Sequence, residues 1–382
     1  MFMNARERFN LTVHFGKPDR VPNEEFGYWS ETIQRWWREG LPTMDVESYF
    51  HLDRRREWYL LTWPLCDSLE AEDINYFNSP VYLGPIPPFE SKILADDGTV
   101  KIVSESWGRI KKIKKRMGTI PQYLEFPVKT IKDFKEKEIE RRFNPKSPSR
   151  FPKNWSTLVK AYKIRDYPLG INLLGFFGFP RILMGTRNLL IAYYKDPELV
   201  RTIVEFWCDF QIEICRMILE DVEVDFVQFW EDMAYNKGPL ISPKLFCKFV
   251  APYYKKITRF LKEYGVDVFM VDSDGNINDL LPLFIESGVN GFYPLEVRAH
   301  MNPVELRRKY GKIILCGGLD KFALVEGHEE IEKELKSKLP ELIPQGGYIP
   351  FLDHRVPPDV SFRNYKYYIE LKTALIMEFA DN

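Results

Sequence analysis

The chain has 382 residues, of which 45% are hydrophobic and 29% charged, and its 54 basic and 55 acidic side chains leave a net charge of −1. This balance argues against the basic composition with which proteins bind nucleic acid or anionic membranes. The first ten residues lack the apolar segment of a signal peptide, and the five scattered cysteines include no CxxC pair. No apolar run is long enough to span a bilayer. We therefore expect a cytoplasmic protein with reduced thiols.

The first 150 residues are irregular. A helix is predicted over residues 32–39 and ends at Gly40. Residues 81–126 are typical of a β-rich insertion, in which Asp97–Gly98 forms a hairpin turn between strands at 92–94 and 99–104. These elements precede the regular part of the chain and are typical of an N-terminal extension to it.

From about residue 155 onwards, short apolar runs alternate with amphipathic helices. The helices carry start signals at Asp196–Pro197, Ser242–Pro243 and Asn302–Pro303, and stop signals at Gly265 and Gly311. The predicted strands cover residues 169–177, 226–230, 266–271, 291–295, 313–316 and 347–351.

This alternation predicts an α/β fold with a parallel sheet and right-handed crossovers. Two further strands, near Pro22 and at 67–74, raise the total to eight. We therefore predict one (β/α)8 TIM-barrel domain over residues 1–382, with an irregular N-terminal part over 1–150 and regular repeats over 151–382. An open, doubly wound sheet is the alternative, although no GxGxxG or P-loop motif follows a strand.

Acidic residues follow five consecutive predicted strands. In a (β/α)8 barrel the C-terminal ends of the strands meet at one mouth, where catalytic groups stand. The polar residues at these strand ends are Glu231, Asp232, Asp272, Asp274, Asn276, Glu296, Asp320, Asp353, His354 and Arg355. We expect them to converge.

Converging carboxylates repel one another unless a metal, a bound proton or a basic side chain compensates. Asp272, Asp274 and His354 together offer a ligand set that suits Zn²⁺, Mn²⁺ or Fe²⁺. Alternatively, Asp272 and Asp274 cap the helix that follows them. The GFFG segment at 175–178, which contains Phe177, forms either an aromatic wall of the pocket or a close packing turn.

Several segments carry a resemblance to a known family. They are RERF at 6–9, DRVP at 19–22, ISP at 241–243, APYYKK at 251–256, GVNGFYPLE at 288–296 and the final GGYIPFLDHRVPPDVSFRNYKYYIE at 346–370. With these segments the chain resembles the uroporphyrinogen-decarboxylase-like proteins over nearly its whole length. The resemblance implies a single barrel with its pocket at the C-terminal face. It also implies either cofactor-free decarboxylation or methyl transfer to or from a corrinoid.

Departures from the family pattern favour the methyltransferase branch. Decarboxylases carry an arginine-bearing RQAGRY segment, whereas this chain has EEFGY at 24–28, which is unsuited to an octa-acid substrate. In the methyltransferases, zinc is held by a His-x-Cys pair and a later Cys. Asp272 and Asp274 match the pair, and His354 matches the later Cys. His354 also matches a histidine of the decarboxylases.

The resemblance leads to the hypothesis of a corrinoid-linked methyltransferase acting on a small organic substrate. No DxHxxG corrinoid signature occurs, so the corrinoid is expected on a separate partner protein, and a homodimer is also compatible with the family. The expected ligands of a divalent metal, zinc being favoured, are Asp272, Asp274, His354 and Glu296. The expected catalytic residues are Glu231, Asp232 and His354, and the expected substrate-binding residues are Glu25, Phe177, Trp230, Asn276 and Arg355.

Two alternatives remain open. The first is a metal-free decarboxylase or lyase in which Asp272 and His354 handle the proton. The second is a barrel that binds a ligand without catalysis, because fold alone does not determine function.

Overall fold

The computed structural model of the chain describes residues 3–53, 59–62, 80–114 and 121–379. The strands are β1 (Tyr59–Thr62), β2 (Val81–Tyr82), β3 (Lys92–Asp96), β4 (Val100–Ser104), β5 (Ile110–Lys114), β6 (Gln122–Glu125), β7 (Gly170–Leu174), β8 (Phe226–Trp230), β9 (Ala234–Tyr235), β10 (Gly238–Pro239), β11 (Phe269–Asp272), β12 (Gly291–Tyr293), β13 (Ile314–Cys316) and β14 (Tyr348–Ile349). The α-helices are α1 (Ala5–Val13), α2 (Ser30–Arg38), α3 (Val46–Tyr49), α4 (Ile131–Glu136), α5 (Ile139–Arg142), α6 (Trp155–Lys163), α7 (Gly178–Met184), α8 (Thr186–Lys195), α9 (Pro197–Leu219), α10 (Pro243–Phe249), α11 (Ala251–Glu263), α12 (Leu281–Glu286), α13 (Pro303–Tyr310), α14 (Ala323–Glu326), α15 (His328–Leu342) and α16 (Phe362–Glu378).

One parallel sheet forms the centre of the molecule. Its strands lie in the order β14-β13-β12-β11-β8-β7-β1-β2, so seven strands from β1 to β14 follow chain order and β2 lies outside β1. All the strand pairs in this sheet are parallel, and between β7 and β14 at least one α-helix connects each strand to the next. This arrangement confirms the predicted β/α repeats and their parallel sheet.

The N-terminal segment reaches the other edge of the sheet. Tyr28 forms a parallel bridge with Val356, just beyond β14. The backbone amide of Leu352 also donates to the side chain of Glu25 over 3.3 Å. The strand predicted near Pro22 is thus reduced to this bridge, which lies on the β14 side of the sheet. The strand predicted at 67–74 lies outside the described residues.

Local sequence signals set the helix boundaries. The Asp196 side chain accepts from the Leu199 amide at the start of α9, and Ser242 accepts from Leu245 at the start of α10. In each case Pro occupies the first helical position, where its missing N–H has no intrahelical acceptor to lose. Gly311 ends α13 with a φ of +65°, a conformation that glycine adopts without steric cost.

The insertion folds into a separate antiparallel sheet in the order β3-β4-β5-β6. The turn at residues 97–99 joins β3 to β4 as predicted, and the Asp97 carboxylate accepts from the amides of Thr99 and Val100. Glu105 is buried between Arg109 and Lys111, with 2.9 Å between its carboxylate and the Lys111 ammonium. Arg109 and Lys111 therefore balance a buried carboxylate inside this sheet.

Within the part of the chain that the structure describes, no helix combines the length and apolar character that a membrane crossing requires.

Candidate active site

Asp274 and His354 form an ion pair at the C-terminal ends of the strands. Asp274 follows β11 and His354 follows β14, and their Oδ2 and Nε2 atoms are 3.3 Å apart. The side chains keep 36% and 22% exposure, so both reach solvent at the mouth. Burial lowers the pKa of His354, but the hydrogen bond and charge of Asp274 outweigh burial and the pKa is raised. Asp274 therefore stabilises the imidazolium form of His354 relative to that of a free histidine.

Aromatic side chains from the N-terminal segment surround the imidazole. The ring centroid of Phe26 is 5.2 Å from that of His354, and the Trp29 ring is stacked with it at 6.4 Å. Phe26 also contacts Tyr293 of β12, at 6.2 Å. The Arg355 guanidinium lies over the Trp29 ring at 5.2 Å. The histidine thus stands in a largely aromatic wall beside a cation.

Asp232 adds a second carboxylate next to Asp274. Its Oδ1 accepts from the Asp274 amide over 3.4 Å, and its Oδ2 is 3.3 Å from the Arg181 guanidinium. Burial, together with the charge of Asp274, raises the pKa of Asp232 to about 6, although Arg181 opposes that rise. Asp232 has a φ of +47°, an uncommon backbone conformation for a residue with a side chain. Arg181, Asp232, Asp274 and His354 thus form a row of charged side chains in which each contacts the next.

Glu231 is fully buried below this row. Its carboxylate accepts from the amides of Phe176, Phe177 and Gly178 at 2.7–2.9 Å, and from the Tyr254 hydroxyl at 2.6 Å. Burial raises its pKa to about 7 against the effect of these donors. All four contacts are internal, so the structure places Glu231 as the anchor of the GFFG turn and away from the solvent-accessible mouth.

Glu296, Asp353 and Lys321 form a second charged cluster beside the ion pair. The Lys321 ammonium is 3.1 Å from Asp353 Oδ1 and 3.6 Å from Glu296 Oε1. Glu296 Oε2 accepts from the Gly275 amide at 2.9 Å, and Asp353 Oδ2 accepts from the Val297 amide at 2.9 Å. Burial raises the pKa of Asp353. Glu296 is therefore held by a lysine and a loop amide.

Two of the expected substrate-binding residues have internal partners. The Glu25 carboxylate accepts from Lys372 at 2.5 Å and from the Tyr368 hydroxyl at 2.7 Å, with both ends of the ion pair buried. The Asn276 side-chain oxygen accepts from the amide of Asn278 over 3.0 Å. These contacts tie the side chains to the scaffold.

Phe177, Trp230 and Asp272 lie close to the strand ends. Phe177 is fully buried in the GFFG turn, which makes that turn a packing element. Trp230 is half-buried, and the Arg181 guanidinium lies over its ring at 5.3 Å. Asp272 is the last residue of β11, and its backbone carbonyl accepts from the Glu231 amide at 2.9 Å.

The expected metal ligands do not assemble into a metal centre. In the described ranges 3–53, 59–62, 80–114 and 121–379, no three His, Cys, Asp or Glu side chains are grouped so as to hold an ion. Asp274 is directly paired with His354, and Glu296 is occupied by Lys321 and Gly275. Basic side chains are interleaved with these carboxylates, which was one of the three resolutions open from the sequence.

Sequence reasoning missed the groups that complete this site. Arg181 and Lys321 supply the compensating charge, whereas Phe26 and Trp29 supply the aromatic wall. Lys321 does follow Asp320 directly after a predicted strand, so a search for basic as well as acidic strand-end residues would have found it. Nothing in the local sequence marks Phe26 or Trp29, because their contact with His354 joins opposite ends of the chain.

Comparisons with known proteins agree with this architecture. The family model for uroporphyrinogen decarboxylase matches residues 104–374, well over half of the chain. A curated uroporphyrinogen decarboxylase from Vesicomyosocius okutanii subsp. Calyptogena okutanii is 23% identical over 259 residues, which cover 64% of this chain and 69% of that protein. A solved structure described as a methyltransferase from Methanosarcina mazei superposes with a TM-score of 0.57 at 14% identity, covering 99% of both chains. The predicted α/β fold is thus confirmed, and the chain belongs to the uroporphyrinogen decarboxylase family.

Proposed function

We propose that the protein is a methyltransferase that moves a methyl group between a small organic substrate and a corrinoid held by a separate protein. The observation that carries the proposal is the Asp274–His354 ion pair, which lies at the mouth inside an aromatic wall. The likeness over 99% of both chains to a methyltransferase adds support at the level of the fold.

The chemistry assigned to this chain is proton transfer and orientation. When a methyl group leaves a heteroatom of the substrate, the electron pair of the broken bond stays on that heteroatom and requires a proton. His354, whose pKa is raised by Asp274, supplies that proton from Nε2 as a general acid. Asp274 orients the imidazole and stabilises its charged form, and Asp232 is held beside it by Arg181.

Phe26 and Trp29 limit the access of water to the reacting group and offer flat apolar surfaces to an organic substrate. The corrinoid, when its carrier is bound, would supply the methyl-accepting or methyl-donating centre at the open mouth. Because the described acidic and histidine side chains do not group around a metal position, no step of this proposal passes through a metal ion.

A decarboxylase is the second candidate, and one observation favours it. Arg355 lies within the same mouth as His354, where a cation beside a proton donor suits a carboxylate substrate. Loss of CO2 would leave a carbanion, which His354 would then protonate. Both candidates therefore use the same acid, and the product distinguishes them.

The test uses purified protein with reduced cobalamin and a panel of methyl ethers, methylamines and methyl thioethers, and it follows methylcobalamin by its absorbance. We expect at least one donor to be consumed, with Asp274→Asn and His354→Gln reducing the rate by about 10²-fold or more. His14→Gln is the matched control, because His14 pairs with Asp267 at 3.0 Å at the other end of the strands. Retention of full activity by His354→Gln would contradict the proposal, whereas CO2 release from carboxylic acids without methyl transfer would support decarboxylation. Elemental analysis of the same samples tests whether the protein binds a divalent metal, as the sequence led us to expect.

A further inference from the structure

Lys321 lies between Asp353, in the loop that carries His354, and Glu296, in the loop after β12. Its ammonium contacts Asp353 at 3.1 Å and Glu296 at 3.6 Å, and its side chain is only 12% exposed. An ammonium removed from water to this extent requires anionic or hydrogen-bonding partners at close range. Its position is therefore coupled to both carboxylates.

The first connection runs to His354. Asp353 precedes His354 directly and is fully buried, and its oxygens also accept from the amides of Val297 at 2.9 Å and Lys321 at 3.1 Å. With three donors from the loops after β12 and β13, the Asp353 carboxylate has little freedom to move. Because one peptide bond joins Asp353 to His354, the backbone position of His354 is restrained as well.

The second connection runs to Asp274. Glu296 Oε2 accepts from the amide of Gly275, the next residue, at 2.9 Å. Gly275 has a φ of +78°, and a Cβ there would lie 2.8 Å from backbone atoms of Ala234 and Tyr235. The loop after β11 is thus confined between Glu296 and the β9–β10 hairpin, and the position of Asp274 follows from that confinement.

We propose that Lys321 is a positioning residue that sets the distance between His354 and Asp274 through Asp353 and Glu296. The inference rests on the proposed function, in which this pair supplies the proton. Lys321 need not touch the substrate. Without its charge, Asp353 and Glu296 would repel each other across the site, and the two loops would move apart.

The experiment is nitrogen NMR of protein labelled with ¹⁵N-histidine, in which His354→Gln assigns the relevant signal among the five histidines. In the wild type we expect a slowly exchanging Nε2–H proton on His354, donated to Asp274. Lys321→Met should abolish that signal, and Lys321→Arg should restore it because the cation is retained. Arg165→Met is the control, since it breaks a buried ion pair with Asp225 at the start of β8, away from the mouth.

An unchanged His354 signal in Lys321→Met would overturn the inference, and so would equal loss in Arg165→Met. If Lys321→Met does not fold, Glu296→Ala is the second variant, because it removes only the connection from Lys321 to the loop of Asp274. An unchanged His354 signal in Glu296→Ala would also overturn the inference. These readouts require no turnover. The positioning role can thus fail while methyl transfer persists, and methyl transfer can be disproved while the NMR result stands.

Discussion

Replacing Glu231 with glutamine would measure how burial competes with hydrogen bonding beneath the site. The amide keeps one acceptor oxygen, and the Tyr254 hydroxyl can turn to accept from its NH2 group. The Phe176 amide, now 2.9 Å from Glu231 Oε1, would lose its acceptor. A buried donor left without a partner costs about 1–3 kcal/mol. We expect Glu231→Gln to lower the free energy of unfolding by that amount at pH 5.

The destabilisation caused by Glu231→Gln should decrease as pH rises. The pKa of Glu231 is raised by burial from 4.5 to about 7 in the folded chain. Between these values the folded protein holds a proton that the unfolded chain has released, so this stabilisation is present at low pH and lost as pH rises through 7. From pH 5 to pH 8 the loss amounts to about 2–3 kcal/mol for the wild type and is absent in the variant. Glu231→Gln should therefore match or exceed wild-type stability at pH 8.

Urea unfolding at pH 5 and pH 8 provides the assay, with unchanged m-values as the sign that only stability differs. Glu223→Gln is the control, because the Glu223 side chain is 89% exposed. A cost of Glu231→Gln that grows with pH would refute the reasoning. It would mean that the four donors prevail over burial and keep the carboxylate ionised.

Three further outcomes follow from the structure. Gly275→Ala should destabilise the protein by about 1–3 kcal/mol in urea unfolding, because its positive φ and the close backbone of Ala234 oppose a side chain; wild-type stability would contradict this. Arg150→Met should cost about 3–5 kcal/mol, since the buried guanidinium donates to four backbone carbonyls, and a loss below 1 kcal/mol would count against it. Asp274→Asn should lower the pKa of His354, measured by NMR titration, because the hydrogen bond and charge of Asp274 are the largest effects that raise it; an unchanged pKa would exclude that pairing.

Local chemistry allowed the repeats to be predicted. The strand over 226–230 has the predicted bounds, and α9, α10 and α13 begin at their predicted Asp, Ser and Asn caps. Such signals depend on neighbours within a few residues, so one sequence contains them. The apolar runs also predicted which strand ends would bring polar side chains to one mouth, and Asp274 and His354 do meet there.

Only the tertiary structure decided what each acidic residue does. Glu231 and Glu296 follow strand ends in the sequence as Asp274 does, yet three backbone amides engage Glu231 and a loop lysine engages Glu296. Glu25 was expected at the substrate, but the buried Lys372 engages it. The contacts of Phe26 with His354 and of Glu25 with Lys372 join residues more than 300 positions apart. The periodicity and spacing of residues in the sequence indicate where a side chain lies along one helix or strand. Whether a carboxylate meets a proton, a lysine or another carboxylate depends on which loops fold beside it, and long-range packing alone determines that.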